Sequence, residues 1–266
     1  MSGRGLKIVS YNVNGIKARL ERLVEYLTEQ QPDVVCLQEL KSADDGFPEQ
    51  AIRDAGYGAV WHGQKGWNGV AVLAKGVDPV ERQRGLAGDP DDEHSRYLEC
   101  EVDGLVVASL YLPNGNPIDD PVKFPYKLSW MARLEAWAAE RLALEEALVL
   151  AGDYNVIPEP IDAKFPENWV GDALFQPQTR QAFRRLKHLG FTEAIRAVTD
   201  APGTFTFWDY QGGAWQKNNG IRIDHLLLSP EAANRFSSAS IEKHVRAWEK
   251  PSDHVPVAVE LDLAAA

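Results

Sequence analysis

The chain has 266 residues, 44% apolar and 25% charged, an ordinary globular composition long enough for one large domain or two small ones and able to bury a core without covalent staples. Its two cysteines, Cys36 and Cys100, lie in apolar strand-like runs and read as reduced core thiols, which argues against a secreted disulfide framework. A net charge of −11 argues against general attraction to nucleic acid, yet leaves room for a local basic face and for carboxylates gathered around a divalent ion.

Lys7–Tyr11 reads as a short buried strand, ended by Asn12, Val13, Asn14 and Gly15. Ala18, Leu20, Leu23, Val24 and Leu27 then fall at helical spacing in a charged segment, which predicts a surface helix on an apolar layer. Asp33–Gln38 is another apolar strand, followed by Val70–Ala74, Tyr97–Val102 and Leu105–Leu112. Asp103 and Gly104 between the last two are a strong two-residue hairpin signal. Leu128, Met131, Leu134, Trp137, Ala138 and Leu142 trace one helical face between Lys127 and Glu146. Ala147–Ala151 is a strand, Thr179–Leu189 a helix, and Arg222–Ser229 and Val255–Leu261 are the closing strands.

Hairpins mixed with helical crossovers argue against a purely parallel sheet, and no repeat or long linker divides the chain. Residues 1–266 therefore read as one α/β domain with helices outside stacked sheets. Met1–Lys7 holds no apolar stretch long enough for a signal peptide, and no run approaches a membrane span, so the expected setting is the cytoplasm.

The chemistry-bearing residues cluster at the ends of the apolar strands. The first strand delivers Asn12, the second Glu39, and the strand after Ala147 delivers Asp153 and Asn155. Ser252, Asp253 and His254 precede the last strand, and Asp224 lies inside an apolar run where a carboxylate is costly unless paired or metal-bound. Each has an ordinary reading, since Asn and Asp are common turn formers after strands. The carboxyl ends of strands are also where α/β proteins assemble sites from distant positions.

Six segments carry a resemblance. Tyr11 to Gly15, Leu37 to Lys41, Tyr111-Leu112-Pro113-Asn114-Gly115, Gly152-Asp153-Tyr154-Asn155-Val156, Arg222-Ile223-Asp224 and Lys250 to His254 resemble, in order and spacing, the motifs of the exonuclease III family of AP endonucleases. The helix at Tyr126–Met131 and the segment Thr206–Tyr210 fit as well, so the likeness runs from about residue 6 to residue 260. It implies a four-layer αββα sandwich, two mixed β-sheets face to face with helices outside. It also implies hydrolysis of a DNA phosphodiester immediately 5′ of an abasic site, with 3′→5′ exonuclease and 3′-phosphatase or phosphodiesterase activity beside it.

The cofactor implied is Mg²⁺, with Mn²⁺ as the other candidate, on Asn12, Glu39, Asp153, Asn155, Asp253 and His254. Asp153 would deprotonate the attacking water and Asn155 would help place it. His254 would contact the scissile phosphate with Asp224 holding its imidazole, and Tyr111 would donate to the phosphate or act as a phenolate base. Asn14 departs from the pattern, standing where some relatives place an Asp that helps bind metal.

For the substrate, Phe207, Trp208 and Ile223 match positions that form or adjoin a pocket for a base-less sugar, although Phe205–Tyr210 reads equally well as core. Lys41, Asn114, Lys127, Lys217, Asn218 and Arg222 are candidate contacts to the DNA backbone, and Arg180, Arg184, Arg185 and Lys187 form either a basic strip or a solvated helix face. His225 should point away from the site by strand alternation. The implied partner is double-stranded DNA with abasic sites or blocked 3′ ends, handled by a monomer without a membrane. The rivals are another phosphodiesterase or phosphatase of the same superfamily, and a DNA-binding homologue that has lost activity.

Overall fold

The computed structural model describes residues 5–262; residues 1–4, part of the N-terminal stretch considered for a signal peptide, lie outside them. Its strands are β1 (Gly5–Asn12), β2 (Val34–Gln38), β3 (Tyr57–His62), β4 (Val70–Lys75), β5 (Val80–Arg84), β6 (Tyr97–Val102), β7 (Leu105–Tyr111), β8 (Leu148–Asp153), β9 (Thr192–Glu193), β10 (Asp224–Leu228), β11 (Phe236–Ile241) and β12 (Val257–Asp262). The helices are α1 (Leu20–Gln30), α2 (Glu49–Asp54), α3 (Lys123–Leu142), α4 (Pro177–His188), α5 (Ala194–Val198) and α6 (Pro230–Ala233).

The strands form two six-stranded sheets, ordered β11-β12-β1-β2-β4-β3 and β5-β6-β7-β8-β10-β9. Each sheet has one parallel pair, β1 with β2 and β7 with β8, among antiparallel neighbours. A parallel pair needs a crossover rather than a hairpin; α1 makes it in the first sheet and α3 in the second. The two halves thus share one topology although no sequence repeat announces it. This is the mixed-sheet, four-layer arrangement that the resemblance implies.

Alternation sorts the side chains. Ile8, Val34 and Cys36 face Cys100, Val107, Val149 and Ala151 across the sheet interface. Val9, Tyr11, Val35 and Leu37 point the other way, onto Leu23, Tyr26 and Leu27 of α1. In the second sheet Val106, Ala108, Leu110 and Leu150 cover Trp130, Met131 and Leu134 of α3 and Phe183 and Leu186 of α4. Each fully buried side chain of this size contributes roughly 1.5–3 kcal/mol, and a one-residue slip would turn every one of them to the wrong layer. Both cysteines are free and sit in the inter-sheet core, where burial pushes the Cys100 thiol up to about 12.

Several boundaries differ from the sequence reading, and two of the shifts have a clear local reason. Helix α3 starts at Lys123 rather than Lys127, because Asp120 Oδ1 accepts the backbone N–H groups of Val122 and Lys123 and caps the turn upstream. Strand β10 begins at Asp224 rather than Arg222, since Arg222 donates its N–H to the carbonyl of Asp162 in a neighbouring loop. The hairpin at Asp103 and Gly104 forms as expected, with φ of 50° and 78°, the left-handed pair that a type I′ turn requires.

Candidate active site

The carboxyl ends of the two parallel pairs meet at one edge of the sandwich. There β1 ends in Asn12, β2 runs into Glu39, β7 ends in Tyr111 and β8 in Asp153. Asp224, the first residue of β10, lies opposite Asp153 in the antiparallel ladder. The loop before β12 adds Asp253 and His254, fixed by Ser252, whose Oγ donates to the Asn12 carbonyl at 2.7 Å.

Asn12 Nδ2 bridges the sheets, donating to Glu39 Oε1 and to Asp153 Oδ2, each at 3.0 Å. Asp153 Oδ1 accepts the Asn155 N–H at 2.9 Å, while Asn155 Nδ2 donates to the Leu112 carbonyl at 2.9 Å and its Oδ1 accepts from Asn114 Nδ2 at 3.2 Å. Below this layer Gln38 Nε2 donates to Ser109 Oγ at 3.1 Å, a second polar tie between the sheets. Asn14, Glu39, Lys41 and Asn155 all have left-handed backbones, with φ of 46°, 53°, 51° and 48°. Such conformations are sparsely populated by non-glycine residues and gather where the fold fixes functional side chains.

His254 Nδ1 faces both oxygens of Asp224, at 3.0 and 2.9 Å, which leaves Nε2 directed at the pocket, 3.7 Å from Asp153 Oδ2. Burial, the largest influence on His254, lowers its pKa, but Asp224 and Asp153 together outweigh it and hold the imidazole charged. Burial also pushes Asp153 above the usual carboxylate range, helped by Asp224 and Glu39 and opposed by His254. Glu39 is lowered: burial raises it, and the Lys41 ammonium at 2.7 Å more than offsets that. Burial, with Glu39 and Asp153 nearby, pushes the Tyr111 hydroxyl well up, which favours its protonated form.

Glu39, Asp153 and His254 each offer a ligand atom within 4.8 Å of the others. The pocket is short of positive charge. Lys41 pairs with Glu39 and His254 with Asp224, the Lys127 ammonium and the Arg246 guanidinium act on Asp153 and Asp253 from farther off, and Lys41 Nζ is drawn onto both Glu39 Oε2 at 2.7 Å and Asn14 Oδ1 at 2.5 Å. Asn14 Nδ2 donates to Asp253 Oδ1 at 3.0 Å, so the amide at this departing position ties Asp253 to the β1 turn. Carboxylate and amide oxygens without a thiolate suit a hard divalent cation.

The pocket itself measures about 190 Å³ and opens into a cavity of about 500 Å³ with which it shares Trp169, Asp172, Phe207, Asp209 and Ile221. Its apolar wall is Phe207, Ile221, Ile223 and Leu174. The Phe207 ring stands edge-on to His254 with centroids 5.0 Å apart. Lys41 and Asn114 line the opposite flank.

Several expected substrate contacts lie elsewhere. Trp208 is 0% exposed, packed on Phe205 and Trp215 with Nε1 donating to Asn218 Oδ1 at 3.1 Å, so it is core and Asn218 holds it there. Lys127 is also buried: its Nζ donates to the carbonyls of Pro113, Asn114 and Asn155 at 3.1, 3.0 and 2.6 Å, which uses all three hydrogens. Burial pulls its pKa down to about 7. Lys127 thus braces the Asn114 loop against Asn155 and has no hydrogen left for a phosphate. Arg222 is enclosed by Asp162 at 2.8 Å, Glu193 at 2.9 Å and His225 Nδ1 at 3.0 Å.

The expected basic strip is paired in part, Arg180 and Arg184 sharing Glu159 and Arg185 meeting Glu135, while Lys187 Nζ lies 5.6 Å from the Phe183 ring centroid. Lys217 donates to the carbonyl of Gly212. His225 points away from the site, as alternation requires, between the rings of Tyr154 and Phe183. Sequence reasoning passed over Trp169 and Arg96, both at the pocket rim. Trp169 ends a short 3-10 turn beginning at Pro166, and its one signal was an indole in a polar loop.

The sequence matches the Endonuclease/Exonuclease/phosphatase family over residues 9–254. It is 34% identical to exodeoxyribonuclease III of Haemophilus influenzae over 266 residues, covering 96% of this chain and 99% of that protein. Among solved structures, it is similar to an AP endonuclease from Archaeoglobus fulgidus, with a TM-score of 0.92 and 35% identity over 97% of this chain and 100% of that one. It is as similar to a 3′ phosphatase from Neisseria bound to a product DNA hairpin, with a TM-score of 0.93 and 37% identity over 97% of this chain and 99% of that one. Taken with the sandwich and its pocket, these matches show that the chain belongs to the endonuclease/exonuclease/phosphatase family, in the branch of exodeoxyribonuclease III and the AP endonucleases.

Proposed function

We propose that this DNA-repair nuclease hydrolyses the phosphodiester 5′ of an abasic site with Mg²⁺ as cofactor, and trims blocked 3′ ends in the same pocket. The observation that carries the reading is the junction of the carboxylate pocket with an apolar wall. Glu39, Asp153 and His254, its imidazole held from behind the pocket wall by Asp224, open directly onto Phe207, Ile221 and Ile223. A snug apolar wall accepts a sugar that has lost its base, and extruding such a nucleotide costs least because nothing is stacked.

Asn12 and Glu39, with an oxygen of Asp153, are the residues that would hold the metal. When bound, it would supply a Lewis acid at the phosphoryl and leaving oxygens. His254 is assigned to the phosphate rather than to the metal, because its Nδ1 is committed to Asp224 and its charged Nε2–H is a donor. Asp153, pushed upward by burial, accepts the proton of the attacking water, and Asn155 orients that water from beside it. The water oxygen bonds to phosphorus, the P–O3′ bond breaks with its electron pair passing to O3′, which takes a proton from solvent, and a 3′-hydroxyl and a 5′-phosphate remain. Tyr111 donates its hydroxyl to a non-bridging oxygen.

Residues 1–266 act in this reading as one catalytic unit, monomeric and cytoplasmic. Among the described residues no helix is long and apolar enough to cross a membrane.

The test is a labelled duplex with one abasic-site analogue and an intact control, incubated with Mg²⁺ or EDTA. Incision at the analogue alone, only with Mg²⁺ and absent in a Glu39→Ala/Asp153→Asn variant, supports the reading. A folded, metal-loaded wild type that leaves the analogue intact but dephosphorylates 3′ ends would move the principal substrate to blocked termini. Cleavage of neither would refute both.

A further inference from the structure

Helix α3 turns a lysine inward with its apolar face: Lys127 is 0% exposed, one turn before Trp130 and Met131. The helix is the crossover between β7 and β8, and Lys127 reaches back to the two loops that leave those strands. Its Nζ meets the carbonyls of Pro113 and Asn114 in the first loop and of Asn155 in the second, at 3.1, 3.0 and 2.6 Å. Three acceptors take all three hydrogens of an ammonium. Burial opposes that charge, and Asp153 and Asp172 favour it. The first loop also closes onto the lysine stem, since a Cβ on Gly115, whose φ is 87°, would lie 2.6 Å from Lys127 Cδ. Without the ammonium, three carbonyl oxygens would converge on a point with no donor, which costs free energy for each buried acceptor.

What the ammonium holds is the amide beside Asp153. Asn155 has a φ of 48°, a conformation that persists only where its surroundings support it. Its Nδ2 donates to the Leu112 carbonyl at 2.9 Å, and one lone pair of its Oδ1 accepts from Asn114 Nδ2 at 3.2 Å. The Asn114 amide is fixed in turn, because its own Oδ1 accepts from the Asn116 N–H and Nδ2 at 3.2 and 2.9 Å. The second lone pair of Asn155 Oδ1 is left for a hydrogen of water, in the pocket that Asn155 lines with Asp153.

We propose that Lys127 is a positioning residue for the hydrolysis. Its ammonium is a fixed internal cation in a cradle of three carbonyls, and it locks Asn114 and Asn155, and through Asn155 the attacking water, without itself touching DNA. This role rests on the reading of Asn155 as the group that orients the water, and goes beyond it by naming what orients Asn155. A reaction that depends on one water held in line loses roughly 10²-fold for a displacement of about 1 Å. Binding of DNA in the ground state, which Lys127 does not contact, is left as it was. The cradle also has a chemical signature: once the lysine is cut back, a free ammonium ion has the charge and the hydrogens to take its place.

The test compares wild type with Lys127→Met, which keeps the stem and removes the charge, and with Lys127→Ala, which opens the cradle. In single turnovers on the abasic-analogue duplex with Mg²⁺, folded Lys127→Met should cut roughly 10²-fold more slowly. Its DNA affinity in EDTA, and the salt dependence of that affinity, should match wild type. A salt slope lower by about one would make Lys127 a phosphate contact and overturn the proposal. Ammonium chloride should restore the rate of Lys127→Ala, whereas tetramethylammonium chloride at the same ionic strength should not. A loss in Lys127→Ala that ammonium leaves untouched would assign the effect to packing and overturn the role of the charge. If Lys127→Ala does not fold, Lys127→Met in an Asn114→Ala background decides. Rate losses that combine less than multiplicatively support coupling through Asn114, and fully multiplicative losses overturn it. A wild-type rate in Lys127→Met would sink the positioning role and leave the nuclease reading intact; a wild type that cuts no DNA would sink both.

Discussion

Strand β10 carries two buried charge assemblies on its two faces, and they are built differently. On the His225 face, Asp162 and Glu193 meet Arg196 and Arg222, so two carboxylates answer two guanidiniums. The groups bond one another, and Glu193 also caps α5 by accepting the Arg196 N–H. On the Asp224 face, Glu39 and Asp224 are paired with Lys41 and His254, Asp153 and Asp253 meet no guanidinium or ammonium in direct contact, and the space beside them is open. A buried charge costs several kcal/mol unless it is paired. The balanced assembly meets that cost internally and closes. The unbalanced one must be completed from outside, by a cation and a substrate.

Substitutions on the two faces should therefore act in opposite ways. Asp153→Asn should lower the single-turnover cleavage rate by roughly 10²–10⁴, with urea stability at neutral pH unchanged or raised because a strained carboxylate is gone. Arg222→Met should do the reverse, costing roughly 3–5 kcal/mol of stability by stripping Glu193 of its guanidinium and leaving Asp162 with Arg196 alone, with folded protein still cutting within tenfold of wild type. A rate loss in Arg222→Met as large as that in Asp153→Asn would mean the closed cluster takes part in chemistry.

The balanced face should also leave its mark on acid stability. Burial raises the Glu193 pKa, but Arg222 overrides it and brings the carboxyl down to about 2. Because the folded value lies below the unfolded one of about 4.3, the stabilisation is complete above about pH 5 and fades as pH falls, vanishing below about pH 2. It amounts to about 3 kcal/mol. Glu193→Gln should flatten that limb in urea titrations at successive pH values; an unaltered limb would show that another group carries it. The smallest effect is expected at the surface. Arg185→Ala removes an exposed pair with Glu135 and should cost less than about 1 kcal/mol, with the salt dependence of DNA binding unchanged. A salt slope reduced by about one would restore this helix as a phosphate contact.

The strands legible in the sequence are the eight interior ones. The four that it hides, β3, β5, β9 and β11, are the sheet edges. An edge strand has one partner and is protected from further pairing by charge and shortness, so Val80–Arg84 reads as a polar connection and Phe236–Ile241 as a serine-rich loop. The same logic divides the site. Asn12, Glu39, Asp153 and His254 are legible because a polar residue ending an apolar run is a local signal. Lys127 and Arg222 pass for surface cations, since their acceptors, the Pro113 carbonyl and Asp162 among them, are 14 and 60 residues away. Trp208 can be recognised as core only once Phe205 and Trp215 close around it.

If the Asp224 face is completed by a divalent cation, Mg²⁺ should bind there and stabilise the folded chain. Thermal unfolding of wild type and of Glu39→Ala/Asp153→Asn should be followed over a Mg²⁺ titration in EDTA-stripped buffer. A cation that binds only the folded chain stabilises it by about 2.7 kcal/mol at one hundred times its dissociation constant. The wild-type midpoint should rise saturably and that of the double variant should not move. A wild-type midpoint indifferent to Mg²⁺ and to Mn²⁺, with DNA still cut in EDTA, would contradict such a site.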